Sequence, residues 1–290
     1  MVHRETAMPP MLLRQFARPL ANIRVLRRIP EYLQTRYASD DTVFTVNDFD
    51  GSLKFQSKLS SHIGSHIFWK GCYARTVLAL LDRLLVQPDQ VFIDVGANEG
   101  EETIFAAKRL THGHVYAFEP NDNVYSRLCQ NVALNHFANV CPLKMGLDSK
   151  PGKLTLYGPG SRDKDGTWND GQGTVCPRPG VDRPIGEIEL TTLDLFRSER
   201  KLPRVDLIKV DVEGAELTVL QGGDQLLDEC RPKLIVETWE DSEQTLLLLE
   251  HIRRKAYSIF NLGENGSLAA ASDLRHTSRD VFCIPQSSTG

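Results

Sequence analysis

This chain lacks several signals that would narrow its class at once. Its six cysteines, at 72, 129, 141, 176, 230 and 283, form no C-x-x-C pair. That rules against a zinc ribbon and against the disulfide framework of a small secreted domain. No apolar run approaches the roughly 18 residues that cross a bilayer; the best, 76–86, is broken by Asp82 and Arg83. Positive charge is not in excess either. A net charge of −4 and a pI near 6.1 argue against a chain whose main task is gripping nucleic-acid phosphates. There is no internal repeat and no uninterrupted secretory h-region. What remains is 290 residues of ordinary globular composition, 41% hydrophobic and 25% charged. The expectation is a soluble protein of a reducing compartment, the cytoplasm.

The first 37 residues differ from the rest. They hold seven arginines (Arg4, Arg14, Arg18, Arg24, Arg27, Arg28, Arg36) against Glu5 and Glu31. The arm reads as a surface helix or lid, with organelle targeting and partner binding as alternatives; the lack of any serine before Ser39 counts against a transit peptide. A small hairpin is expected over 43–55 around Asp50-Gly51, then a lead-in helix over 73–85.

From Pro88 onward, short apolar runs at 91–95, 115–118, 140–144, 205–210 and 233–236 alternate with helix-period segments. Buried parallel strands read as continuous β-branched runs joined by crossover helices, so the fold class is α/β, a doubly wound sheet. Two further runs, 257–262 and 281–284, are expected to close it as a hairpin-like edge. The domain division expected is 1–84 for the arm, hairpin and lead-in helix, and 85–290 for the main domain. Within the latter, 158–184 carries six glycines and four prolines. It is either a functional lid or a surface excursion.

The segment 92–100 is strand, glycine turn, helix, with Asp94, Gly96, Asn98 and Gly100 at alternate positions. Glycines let backbone approach a ligand at a helix N-terminus. A dinucleotide site wants a third glycine, missing here, and Glu99, Glu101 and Glu102 would repel a pyrophosphate. A cofactor with sulfonium and ammonium groups tolerates them, and Asp94 suits its amino group. Glu119, ending the next strand in Glu119-Pro120-Asn121, is the best candidate to accept hydrogen bonds from ribose hydroxyls. S-Adenosylmethionine is therefore favoured over NAD.

A second acidic block runs 206–216. Alternation puts Lys209 and Asp211 on one strand face, and a lysine in a buried strand needs a partner. Asp211 and Glu237 fall at adjacent strand ends, where open α/β sheets bind ligands. They are the catalytic candidates, as base and orienter or as hard oxygen ligands for Mg²⁺, with Lys209 as buried ion-pair partner. Glu213 and Glu216 read as first-turn helix acids, where the dipole explains at least one. His62 and His66, at i, i+4, read as a surface pair or as a substrate-side base.

The blocks D-V-G-A-N-E-G, A-F-E-P-N, L-D at 193–194, I-K-V-D-V-E-G-A-E and P-K-L-I-V-E resemble the FkbM-type S-adenosylmethionine-dependent methyltransferases. The resemblance spans about 71–285 and implies a seven-stranded, Rossmann-like methyltransferase sheet whose last strand, 281–284, is antiparallel. It implies O-methylation of sugars, glycolipids or polyketides, with a small-molecule or saccharide acceptor. By position, Asp94, Gly96, Asn98, Gly100, Glu119 and Asn121 would bind the cofactor, and Asp148 would lie on its adenine side. The acidic start Glu99, Glu101, Glu102 departs from the family's pattern. Two other readings stand beside it: a non-catalytic cofactor-binding scaffold and an NAD-linked oxidoreductase.

Overall fold

Asp50 and Gly51 both adopt positive φ, 43° and 81°, the conformation that matches a tight turn to the twist of its flanking strands. They close a hairpin of β1 (Val43–Phe49) and β2 (Leu53–Lys58). Its buried face, Phe44, Val46, Phe49, Leu53 and Phe55, belongs to the same unit as α1 (Pro10–Leu20), α2 (Arg28–Tyr37) and α3 (His62–Lys70). Phe44 meets Phe68 edge-on at 4.7 Å, and Arg14 ties Phe68 O to the Asp48 carboxylate at 2.9 and 2.6 Å.

The computed structural model describes residues 10–286 except 22, 24, 165, 170, 172, 241, 264 and 265. Arg4, Glu5, Arg24 and Asp241 therefore lie outside the described residues. The chain forms two compact units, Met1–Tyr73 with Ser161–Asp170, and Ala74–Gly160 with Gly171–Gly290. The sequence-based division ran at 84/85; here α4 (Arg75–Leu84) groups with the second unit and the middle of the 158–184 segment with the first.

In the second unit, β3 (Val91–Val95), β4 (His114–Phe118), β5 (Val140–Leu143), β9 (Leu207–Val210) and β10 (Lys233–Glu237) run parallel. Crossovers carry α5 (Glu101–Arg109), α6 (Asp122–Leu134), α7 (Leu193–Arg200), α8 (Glu216–Gln221) and α9 (Asp224–Cys230). After α10 (Glu243–Arg254) come β11 (Tyr257–Gly263), β12 (Ser267–Ala270) and β13 (Asp280–Pro285). The sheet order is β12-β11-β13-β10-β9-β3-β4-β5, with β13 antiparallel to both neighbours.

Seven of these strands are the expected sheet; the eighth, β12, is an added edge. The run 281–284 is consequently not an edge, because β13 inserts between β10 and β11. A shorter sheet, β6-β8-β7, is made of β6 (Gly146–Leu147), β7 (Gly152–Gly158) and β8 (Arg183–Thr191). Every residue of β3 and β9 is buried, which accounts for runs that are apolar apart from Asp94 and Lys209. Strand order reverses between β3 and β9, so the ligand crevice of such a sheet opens at their C-terminal ends.

All six cysteines are free thiols. Among the described residues no helix is long and apolar enough to cross a membrane.

Candidate active site

Gly96 opens the turn after β3 with φ +80°, and a Cβ built on it would lie 1.8 Å from the Asp211 carbonyl oxygen. Only glycine lets the ends of β3 and β9 approach this closely. The Gly96 and Ala97 amides both donate to Phe118 O, at 3.0 and 2.9 Å, wrapping the turn over the end of β4. Asn98 (φ 51°) and Gly100 (φ 92°) return to the left-handed region at alternate positions before α5 begins.

Glu119 sits beneath this turn. Its Oε2 accepts from the Asn98 amide at 3.0 Å and its Oε1 from the Asn121 amide at 2.9 Å. Burial lifts its carboxyl to about 7, against the pull of those two hydrogen bonds. Asn121 caps α6 by accepting from the Asn123 amide. The expected cofactor residues Gly96, Asn98, Gly100, Glu119 and Asn121 thus form one wall around this turn, while Asp94, in β3, has no solvent exposure.

Asp148 lies elsewhere, between β6 and β7. Its carboxylate caps the Ser149 amide at 2.5 Å and its own amide donates to Thr191 O. Among the described residues no hydrogen bond or ion pair joins it to that wall.

The three acids opening α5 do not face a ligand, as the argument against pyrophosphate assumed. Glu99 pairs with Arg127 at 3.1 Å, Glu101 accepts from the Ala74 amide at 3.0 Å, and Glu102 lies 3.8 Å from Lys209. All three are buried. Their sign is spent on internal partners, so the missing third glycine is what survives of that argument.

Lys209, on buried β9, has Asp94, Glu102 and Asp211 within 3.7, 3.8 and 3.4 Å. Burial alone would lower its ammonium, but Glu102, Asp211 and Asp94 outweigh that and hold it above the ordinary lysine range. One ammonium cannot neutralise three carboxylates. Glu102 takes up part of the difference, pushed by burial to about 8, and burial raises Asp94 as well. Asp94 has no exposure and accepts from Thr103 Oγ1 at 2.6 Å, so its recorded partners are internal.

Across the crevice, Asp211, Glu213 and Glu237 bring one carboxylate oxygen each to within 4.8 Å of one another. Glu213 is not in a helix first turn; it precedes α8 with φ 59°. Glu216 instead holds that turn, accepting from the Val212 and Gly214 amides at 3.1 and 3.0 Å. Burial, with Asp211 opposite, raises Glu213 to about 7 and Glu237 to about 10. Glu237 Oε1 accepts from Arg279 at 3.0 Å, while its Oε2 is buried without a hydrogen-bond partner.

Sequence reading overlooked Arg178, Arg279 and Asp280 here. Asp280 opens β13 directly opposite Glu237, and burial, with Asp211 near, lifts it to about 6. Its signal was an acid at the start of the last apolar run. Arg178 gave none, because it comes from the Gly/Pro-rich segment. It pairs with Glu213 Oε2 at 2.6 Å and covers the Trp239 ring at 5.0 Å. Thr174 Oγ1 also donates to Glu213 O, at 2.8 Å. A Cβ on Gly171 would strike the Asn98 amide group at 1.7 Å, so this stretch reaches from the glycine turn to the carboxylates.

A family model described as the methyltransferase FkbM domain matches residues 94–259. This chain belongs to that family. Its cofactor is accordingly S-adenosylmethionine, and the NAD-linked alternative falls away. Among curated proteins, the FkbM chain is 35% identical over 179 residues to methyltransferase sdnD of Sordaria araneosa, covering 53% of this chain and 69% of that one. It is 27% identical over 169 residues to the 2-O-methyltransferase NoeI of Sinorhizobium fredii, covering 55% and 67%. With the hexuronic acid methyltransferase AglP of Haloferax volcanii it shares 32% over 146 residues, covering 48% and 54%.

Proposed function

We propose that this FkbM chain moves a methyl group from S-adenosylmethionine to a hydroxyl oxygen of a sugar, glycolipid or polyketide-like acceptor. The observation that carries the reading is the Asp211, Glu213, Glu237 carboxylate group beside the glycine turn, where the Gly96 Cβ position touches Asp211 O. The relatives named a 2-O-methyltransferase and a hexuronic acid methyltransferase support an oxygen acceptor.

Methyl transfer breaks the sulfur–carbon bond as an oxygen–carbon bond forms, and the sulfonium loses its charge. A hydroxyl is a weak nucleophile at neutral pH, so its proton must pass to a base as the new bond forms. Asp211 is the candidate, with its side chain 31% exposed while Lys209 holds Oδ2 at 3.4 Å. Glu237, fixed by Arg279, orients from the adjacent strand end. The wall of Asn98 and Glu119 holds the adenosine so that methyl and acceptor stay in line, and alignment alone supplies several kcal/mol.

The same oxygens suit a divalent cation. Three carboxylates converge and Glu237 Oε2 has no hydrogen-bond partner, a donor set that fits Mg²⁺. When bound there, such an ion would lower the pKa of a coordinated hydroxyl. The 171–178 stretch, pinned by Arg178 and Thr174, is placed to choose the acceptor.

The test combines calorimetry with S-adenosylhomocysteine and a hydroxyl-acceptor screen with and without EDTA. Asp211→Asn is expected to lower kcat at least about 100-fold, within the range for a lost general base, with cofactor affinity kept. Unchanged turnover in that variant would overturn the assignment.

A further inference from the structure

The first unit holds an open cavity of about 530 Å³ lined by Glu31, Gln34, His62, His66, Lys70 and Asp163, among others. Its size is within the roughly 300–1,000 Å³ typical of small-molecule sites. The methyl-transfer chemistry uses none of these residues.

The cavity wall is supported from behind. His62 Nδ1 lies 3.1 Å from Thr167 Oγ1 and 3.4 Å from Asp163 Oδ2, and Thr167 has no solvent exposure. His66 Nδ1 lies 2.9 Å from the His62 carbonyl and 3.0 Å from the side-chain amide of Gln34, which is 3% exposed. A carbonyl and a carboxylate only accept, so the His62–Asp163 contact and the His66 contact with the His62 carbonyl are hydrogen bonds when Nδ1 carries the proton. The Gln34 amide nitrogen donates, and bonds His66 only in the other tautomer. With Nδ1 protonated, Nε2 is the acceptor nitrogen of the neutral His62 ring; His66 presents a donor or an acceptor there according to which of its two partners it takes. The rings are 4.6 Å apart, and Tyr73 meets both edge-on at 5.3 Å. The i, i+4 spacing on α3 is what places both imidazoles on one wall.

We propose that this cavity is a binding site for a neutral saccharide. A sugar hydroxyl donates and accepts at once, so an array of hydroxyls matches a wall that combines two carboxylates (Glu31, Asp163), two ammoniums (Lys70, Lys164), an amide and two imidazoles. A phosphate would meet the two carboxylates, and a polyamine would meet the two lysines. Neither single-sign ligand fits a wall of mixed charge. The site belongs to the first unit alone and does not depend on the methyl-transfer reading.

The test uses the full chain without S-adenosylmethionine. Maltose, cellobiose and N,N′-diacetylchitobiose are titrated while imidazole ¹⁵N signals are followed, with inorganic phosphate and spermidine as controls. His66→Gln and Glu31→Gln are titrated beside it, and S-adenosylhomocysteine calorimetry on each variant reports that the second unit is intact. At least one disaccharide is expected to saturate at millimolar concentration and to shift the His62 and His66 signals. Each variant should weaken it about tenfold, the size of one lost hydrogen bond to a ligand. No shift with any disaccharide, shifts that survive both substitutions, or displacement by phosphate would overturn the proposal. Loss of S-adenosylhomocysteine binding by the unsubstituted protein would count against the methyl-transfer reading and leave this one standing.

Discussion

Glu119 spends both carboxylate oxygens on backbone amides, and in the proposed cofactor site the same oxygens would accept from ribose hydroxyls. Its carboxyl titrates near 7 because it is buried, so the ionised, accepting form dominates only above that pH. S-Adenosylhomocysteine affinity should be full at pH 8 and should fall as pH drops through about 7, by up to tenfold per unit below it. Calorimetry across pH 5.5 to 8.5 checks this; Glu119→Ala should bind weakly at every pH, with the step gone. Gly96→Ala tests the backbone instead. The new methyl group would meet Asp211 O in a left-handed conformation that alanine adopts reluctantly. The soluble variant should lose S-adenosylhomocysteine binding, because the turn must move to relieve the clash.

Strand β9 carries a lysine through the middle of the sheet, which is tolerable only because Asp94, Glu102 and Asp211 surround it. Lys209→Met would leave those carboxylates buried without their cation. A loss of about 3–5 kcal/mol is expected, read as a lower urea midpoint, since removing one partner of a buried ionic group exposes the remainder uncompensated. The 171–178 stretch offers a contrasting case. Arg178→Ala removes its pairing with Glu213 and its cover over Trp239. Faster cleavage within that stretch by a site-specific protease and a higher acceptor KM are expected, with cofactor affinity unchanged.

If the proposed cofactor wall holds, ligand binding and folding are linked through the second unit, which contains every residue of it. At 100 times its Kd, S-adenosylhomocysteine should stabilise the protein by about 2.7 kcal/mol. That corresponds to a rise in Tm of roughly 5–10 °C for a domain of this size. Differential scanning fluorimetry reads the shift, and NAD⁺ at equal concentration should give none.

Much of this was legible along the chain. Runs apolar but for single residues such as Asp94 and Lys209 marked β3, β4, β9 and β10, because strands buried on both faces have no polar period to show. The placement of the Gly96, Asn98, Gly100 turn and of Glu119 against it was readable because all lie within one strand–turn–helix and the strand after it, where spacing is set by local geometry. Lys209 announced a partner through its cost in a buried strand. The tertiary structure alone decided which partners were taken. Glu99, Glu101 and Glu102 looked like a charged rim, yet each finds a cation or an amide inside the fold. Glu213 looked like a helix-dipole acid, yet it joins Asp211 and Glu237 because its backbone turns left-handed before α8. Arg178 and Asp280 reach the same carboxylates from a long loop and from β13, an insertion that only strand pairing reveals. Sequence order determines which residues neighbour each other along the chain; pairing between distant strands determines which charges must share one dielectric.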